Sequence, residues 1–207
     1  MRRSATSAAK SKASWPKDLA TVAAAASIVL VGRSSLADHY HVPSGSMLPT
    51  VVEDDHILVN KAAYGLRVPF SQVKVTEFEG PARGDVVVLE SPETGIVLLK
   101  RVVAIPGDEI LVTDGQLHLN GNPVAVQKVE NELREALGSG HAVLLNNGGG
   151  PDFGPVKLPV DQYLVLGDNR GNSRDGRYFG LVQRKAILGK ATGILVRKGS
   201  LTWISLD

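Results

Sequence analysis

Apolar and polar positions along this chain fall into short blocks. Residues 56–63, 85–89, 95–105, 109–112, 116–119, 162–166 and 191–196 are apolar or β-branched runs separated by Gly, Pro and Asp turn signals. That punctuation predicts strands, so the chain reads as mainly β. Residues 129–137 read as one helical patch. They lead through Gly138-Ser139-Gly140 into Asn146-Asn147-Gly148-Gly149-Gly150-Pro151, which reads as an exposed insertion with no visible chemistry. No internal repeat is present.

The N-terminus follows a different pattern. Arg2, Arg3, Lys10, Lys12 and Lys17 precede a charge-free run from Leu19 to Gly32, rich in Ala, Val, Ile and Leu. As a helix this run reaches about 21 Å, short of a hydrocarbon core of roughly 30 Å. With Trp15 at the interface, Lys17 and Arg33 snorkelling and Leu36 included, the helix reaches about 33 Å and spans. Three readings compete: a membrane anchor, a cleaved secretory signal ending at Ser35-Leu36-Ala37, and a buried core helix. Arg33 between the apolar run and the cut weighs against cleavage. The expectation is a transmembrane anchor over residues 18–36 in the lipid bilayer. By the positive-inside rule the basic tail, residues 1–17, stays in the cytoplasm and residues 37–207 lie outside.

Composition narrows this picture modestly. The 207 residues allow one domain of ordinary size plus appendages. A net charge of +2, with no basic run interleaved with aromatics, gives no case for nucleic acid. The chain has no cysteine, hence no disulfide, no thiol nucleophile and no Cys-based zinc site.

Candidate chemistry centres on Val42-Pro43-Ser44-Gly45-Ser46-Met47-Leu48-Pro49-Thr50. Gly45 permits a sharp turn and the prolines fix φ on either side, so Ser46 is held in a setting that suits a nucleophile. A neutral hydroxyl attacks poorly until a base takes its proton. Lys100 is the candidate base. It lies in an apolar run, and burial can lower a lysine pKa by up to roughly 3 to 5 units, bringing a neutral amine within reach of ordinary pH. Neighbouring Arg101 cannot deprotonate and suits an ion pair or a fork of hydrogen bonds. Taken singly, a Ser-Gly-Ser between prolines also makes an ordinary turn, and a lysine in an apolar strand also marks an edge or a snorkelling end. A third segment, the polar loop Gly167-Asp168-Asn169-Arg170-Gly171-Asn172-Ser173-Arg174-Asp175-Gly176-Arg177, follows an apolar strand, where sites commonly sit.

From about Arg33 to Ala191 the chain resembles the type I signal (leader) peptidases, membrane-bound serine/lysine endopeptidases. Four ordered boxes carry the resemblance. They are Pro43-Ser44-Gly45-Ser46-Met47-x-Pro49-Thr50, Arg83-Gly84-Asp85-Val86-Val87-Val88, Lys100-Arg101-Val102-Val103-x-x-Pro106-Gly107-Asp108, and the loop from Gly167 to Arg177. The resemblance implies an antiparallel β-sheet catalytic domain of signal-peptidase type over residues 37–207, with an accessory β insertion at roughly residues 108–160 and one preceding transmembrane helix. It implies Ser46 as nucleophile and Lys100 as general base, with the Ser46 N–H and the Ser44 hydroxyl as oxyanion hole. Ser173 would orient the lysine, and Asp175 and Arg177 would hold the last loop. Tyr40, Val42, Met47, Val88 and Leu99 would wall pockets for small residues at positions −3 and −1; ordinary core packing is the competing reading. No metal or organic cofactor is implied. The resemblance also implies preproteins carrying signal peptides as partners and the bacterial cytoplasmic membrane as the place. The family often has Asp where this chain has Gly171 and Ser where it has Gly176, departures expected to make the loop more flexible.

Competing readings are a specialised peptidase of the same group, maturing pilin or conjugation precursors, a self-cleaving Ser/Lys protein, and an inactive membrane-tethered β binding module. Ser71-Gln72-Val73-Lys74 matches a Ser-x-x-Lys pattern without its companion motifs. His39 and His41 lack a third metal ligand nearby in sequence, and Arg170 occupies what would be the third ligand position of a calcium loop at Asp168. A Ser/His/Asp triad on His41 or His56 stays open, because triads are recognised by geometry.

Overall fold

The computed structural model describes residues 19–24, 36–67 and 74–206. Residues 19–24 are helical and exposed; the basic tail, most of the expected anchor and Ser71 lie outside the described residues. Among the described residues no helix is long and apolar enough to cross a membrane.

In chain order the strands are β1 (Ala37–His41), β2 (His56–Asn60), β3 (Gly65–Arg67), β4 (Lys74–Glu77), β5 (Val86–Glu90), β6 (Val97–Ala104), β7 (Glu109–Thr113), β8 (Gln116–Leu119) and β9 (Asn122–Pro123). They continue with β10 (Val126–Val129), β11 (Glu132–Glu135), β12 (His141–Val143), β13 (Phe153–Lys157), β14 (Gln162–Leu166), β15 (Val182–Gln183), β16 (Ile187–Arg197) and β17 (Ser200–Ser205). Eight of them form one antiparallel sheet in the order β1-β2-β16-β5-β6-β14-β15, with β17 on β16.

The continuous apolar run of β5 has a direct cause. Val86 and Val88 enter one core with Met47, Val51, Ile57 and Val59, while Val87 and Leu89 enter another with Tyr163, Val165 and Ile187. A strand covered on both faces needs no polar alternation. A third core, built on Val103, Ile110, Val112, Leu117, Leu137, Leu164 and Leu166, packs the small sheet β13-β7-β8-β9 against β6 and β14.

Residues 129–137, read from the sequence as a helix, instead supply the turn and second strand of a hairpin over residues 126–135. β10 and β11 pair with Val129 opposite Glu132, and Glu130 takes a positive φ of 54° in the turn. β11 is also paired with β12, and its Glu135 is fully buried. Helix propensities differ by only tenths of a kcal/mol per residue, so ladder pairing on both sides of β11 and a buried ion pair prevail. The stretch read as an exposed insertion is also corrected. His141, Val143 and Gly149 are buried, and Arg177 Nη1 donates to Gly149 O, so this segment buttresses the last polar loop. Strand 56–63 stops at Asn60 and gives way to a turn.

Candidate active site

Ser46 sits at the centre of a single 3-10 turn, Gly45–Met47. Ser44 enters it extended, with φ −145° and ψ 151°, and Met47 is fully buried beneath it. The Val51 N–H donates to Met47 O at 2.9 Å, locking the turn to the segment that follows. Gly45 meets the expected sharp turn by close approach: a methyl there would lie 2.9 Å from Leu48 Cδ1 and 3.1 Å from Glu53 Oε1.

β6 brings Lys100 to this turn. Its Nζ donates to Ser46 Oγ at 2.8 Å and to Leu99 O at 2.9 Å. The residue is 3% exposed, and burial pushes its pKa down to about 8, against the pull of the Asp175 and Asp168 charges. Once the amine is neutral, the same short contact can run in reverse, with the nitrogen lone pair accepting the serine proton. Ser44 Oγ lies 3.5 Å from Ser46 Oγ, at the exposed mouth of the turn.

Arg101 makes the fork expected of it. Its Nε and Nη2 donate to Asp168 Oδ1 and Oδ2 at 2.8 and 2.7 Å, and Nη1 donates to Gly84 O at 2.6 Å. Asp168 also accepts from Thr50 Oγ1 at 2.6 Å, which ties the last loop to the residue four places beyond Ser46. Asp175 and Arg177 form a buried two-point ion pair at 2.8 Å, and Asp175 accepts the Gly167 N–H at 3.0 Å.

Ser173 makes no hydrogen bond to Lys100 in this structure. Its hydroxyl is buried without a hydrogen-bond partner, and Lys100 spends its second bond on Leu99 O. Gly167 lets Ser173 pack close to the serine turn: a side chain there would collide with both Ser173 Oγ and Ser46 O. The expected looseness at Gly171 and Gly176 is overturned. A methyl at Gly171 would collide with Asn146 O, and one at Gly176 would lie 2.7 Å from Leu164 Cδ1 and 2.9 Å from Val165 O. Both glycines serve close packing.

A cleft of about 260 Å³ opens beside Ser46 and Lys100, and Tyr40, Val42, Met47, Val88 and Leu99 all line it. Pro43, Ile57, Ile96, Val97 and Leu98 complete its apolar wall and were missed as pocket residues from sequence. Their signal was available: Ile57 shares a strand with Val59, and Ile96-Val97 open the run that ends in Lys100-Arg101. His41 Nε2 bonds exposed Asp54 Oδ1 at 3.0 Å, and its ring lies 5.3 Å from that of His56. The hydrogen bonds of the Ser46 hydroxyl go to Lys100 and Ser44, which removes the basis for a triad on either histidine. Among the described residues no group of three or more His, Asp or Glu side chains is arranged to hold a metal ion.

The model of the family described as signal peptidase, peptidase S26, matches residues 15–196. A signal peptidase I from Pseudomonas fluorescens is 37% identical over 199 residues, covering 81% of this chain and 67% of that protein. One from Pseudomonas aeruginosa is 38% identical over 191 residues with the same coverage. Signal peptidase I P of Bacillus subtilis subsp. natto is 37% identical over 164 residues, 78% of each chain. A match over most of the chain at this identity is decisive: the chain belongs to the signal peptidase family, peptidase S26, and is by that membership a serine peptidase.

Proposed function

We propose that this chain is a membrane-anchored signal peptidase I that cleaves signal peptides from exported preproteins with a Ser46/Lys100 dyad. The observation that carries the reading is the 2.8 Å contact between Ser46 Oγ and a buried lysine whose pKa is lowered to about 8. Neutral Lys100 takes the Ser46 proton while Oγ attacks the scissile carbonyl. The resulting oxyanion is held by the Ser46 N–H and the Ser44 hydroxyl. As the intermediate collapses, the C–N bond breaks, the lysine returns its proton to the leaving amine and an acyl-enzyme remains. Water then adds across the ester and regenerates Ser46.

The apolar cleft supports a preference for small side chains at −3 and −1, since Tyr40, Val42, Met47, Val88 and Leu99 offer hydrophobic contact and no charged partner. The anchor over residues 18–36 and the outside location of the catalytic domain belong to the same proposal. They rest on the charge asymmetry and apolar run of the N-terminus. A short tether to the bilayer raises the enzyme's effective concentration where a threaded substrate emerges.

The test is incubation of the detergent-solubilised full chain with a panel of preproteins, reading new N-termini by mass spectrometry. Cleavage after small-x-small sites in many precursors, lost in Ser46→Ala, is the expected result. Cleavage of one dedicated precursor identifies a specialised peptidase, and no turnover at all identifies a binding module. The pH dependence is a second expectation. Because the active form is the neutral amine, log kcat/KM rises with unit slope below pH 8 and levels above it. An inflection near 6.5 would instead mark a histidine base.

A further inference from the structure

The turn that carries Ser46 is held by a residue outside the dyad. Asn169 donates its backbone N–H to Ser46 O at 3.1 Å and its side-chain Nδ2 to Gly45 O at 3.0 Å. It is 4% exposed, so water does not readily replace these bonds. Its neighbours are pinned on both sides. Asp168 is gripped by Arg101 and Thr50, and Arg170 by Glu135, while the backbone of Asp168 and Arg170 brackets Leu144 at 2.9 Å on each bond. Asn169 is thus presented to the serine turn by a rigid loop.

The chemical meaning lies in which carbonyl the side chain reaches. Gly45 O and the Ser46 N–H belong to one peptide group. A hydrogen bond accepted at the carbonyl end of an amide polarises it and strengthens donation from the N–H end, with cooperative effects of perhaps 10–30% per bond. Among the described residues Gly45 O otherwise accepts only the 3.2 Å bond from the Leu48 N–H that closes the turn. We propose that the Asn169 carboxamide is a positioning residue for the oxyanion hole, acting through the Gly45–Ser46 peptide to aim and polarise the Ser46 N–H. This rests on the reading of Ser46 as nucleophile.

Asn169→Ala and Asn169→Asp keep the backbone bond to Ser46 O and remove the Nδ2 donor. Measured in the full chain, kcat is expected to fall about 10-fold in Asn169→Ala, with KM within twofold. It falls further in Asn169→Asp, whose carboxylate faces the Gly45 carbonyl. The distinguishing readout is a matched pair of peptide inhibitors. A peptide aldehyde adds to Ser46 and forms an oxyanion, whereas the corresponding alcohol does not. The aldehyde weakens in parallel with kcat, and the alcohol binds unchanged. Equal weakening of both, or a rise in KM alone, overturns the proposal. An aldehyde that fails to inhibit even the unmutated chain overturns the Ser46 reading itself and this inference with it.

Discussion

Lys100→Met is expected to abolish cleavage while raising the thermal stability of the chain at neutral pH. With Lys100 as the proposed general base, its loss costs about 10⁴-fold or more in rate, because Ser46 is then left without a proton acceptor. The stability gain follows from the same burial. Lys100 titrates at about 8 in the folded chain against an ordinary 10.5, so the unfolded state binds more protons across that interval. Below pH 8 the folded chain carries the full penalty of a confined ammonium, on the order of 3 kcal/mol; the penalty shrinks as pH rises and vanishes above 10.5. An unbranched apolar side chain of similar length removes it without opening a cavity. Thermal melts at pH 6 and pH 10.5 check this. The variant's advantage, roughly 5 to 10 °C at the lower pH, disappears at the higher one. A Lys100→Met chain less stable than the parent at pH 6 would mean that the lysine is a structural counter-charge for Asp175 and Asp168, and the proposed base would lose its warrant.

Glu135→Ala is expected to destabilise more than any surface change. Glu135 and Arg170 are both completely buried, with Arg170 Nη1 and Nη2 donating to the carboxylate at 3.0 and 2.6 Å. His141 Nε2 stands 3.4 Å from the same carboxylate and 3.7 Å from Asp168. Burial alone would raise the Glu135 pKa, but the Arg170 charge and His141 outweigh it and hold it at about 2. Removing the carboxylate strands a guanidinium in the interior, at about 3–5 kcal/mol, a large share of an ordinary domain's stability. Urea unfolding of Glu135→Ala should show a lower midpoint, and the double variant Glu135→Ala/Arg170→Met should recover much of the loss, since no charge is then left unpaired. A double variant no more stable than the single would show that the pair itself, rather than the stranded charge, carries the energy. Because the folded pKa is depressed, the pair's stabilisation is fully present above pH 4.5 and is lost as pH falls toward 2.

Legibility from sequence followed the range of the interactions. β5 and β14 were readable because each is covered on both faces, and a run such as Val86-Val87-Val88-Leu89 suits a doubly covered strand and little else. Ser46 and Lys100 each have an ordinary reading when taken singly; the four ordered boxes of the resemblance pair them, and the fold brings them within 2.8 Å. The hairpin at residues 126–135 was misread because its determinants are remote: Glu135 is buried by an arginine 35 positions away. β17 escaped notice because Leu201 and Trp203 stay exposed, so no burial pattern marks it. Asn169 was visible only as one letter in a polar box. Its reach to Gly45, 124 positions earlier, is a property of the fold.

The contact between Gly171 and Asn146 limits how loops can be exchanged. The backbones approach so closely there that no side chain fits at 171 unless the 146–150 segment moves. Any side chain introduced at 171 would therefore require Asn146 to move with it, so the two loops are sterically coupled in this chain. Grafting a 167–177 loop that carries a side chain at 171 onto this chain would introduce a steric clash with Asn146 unless the 146–150 segment were exchanged with it.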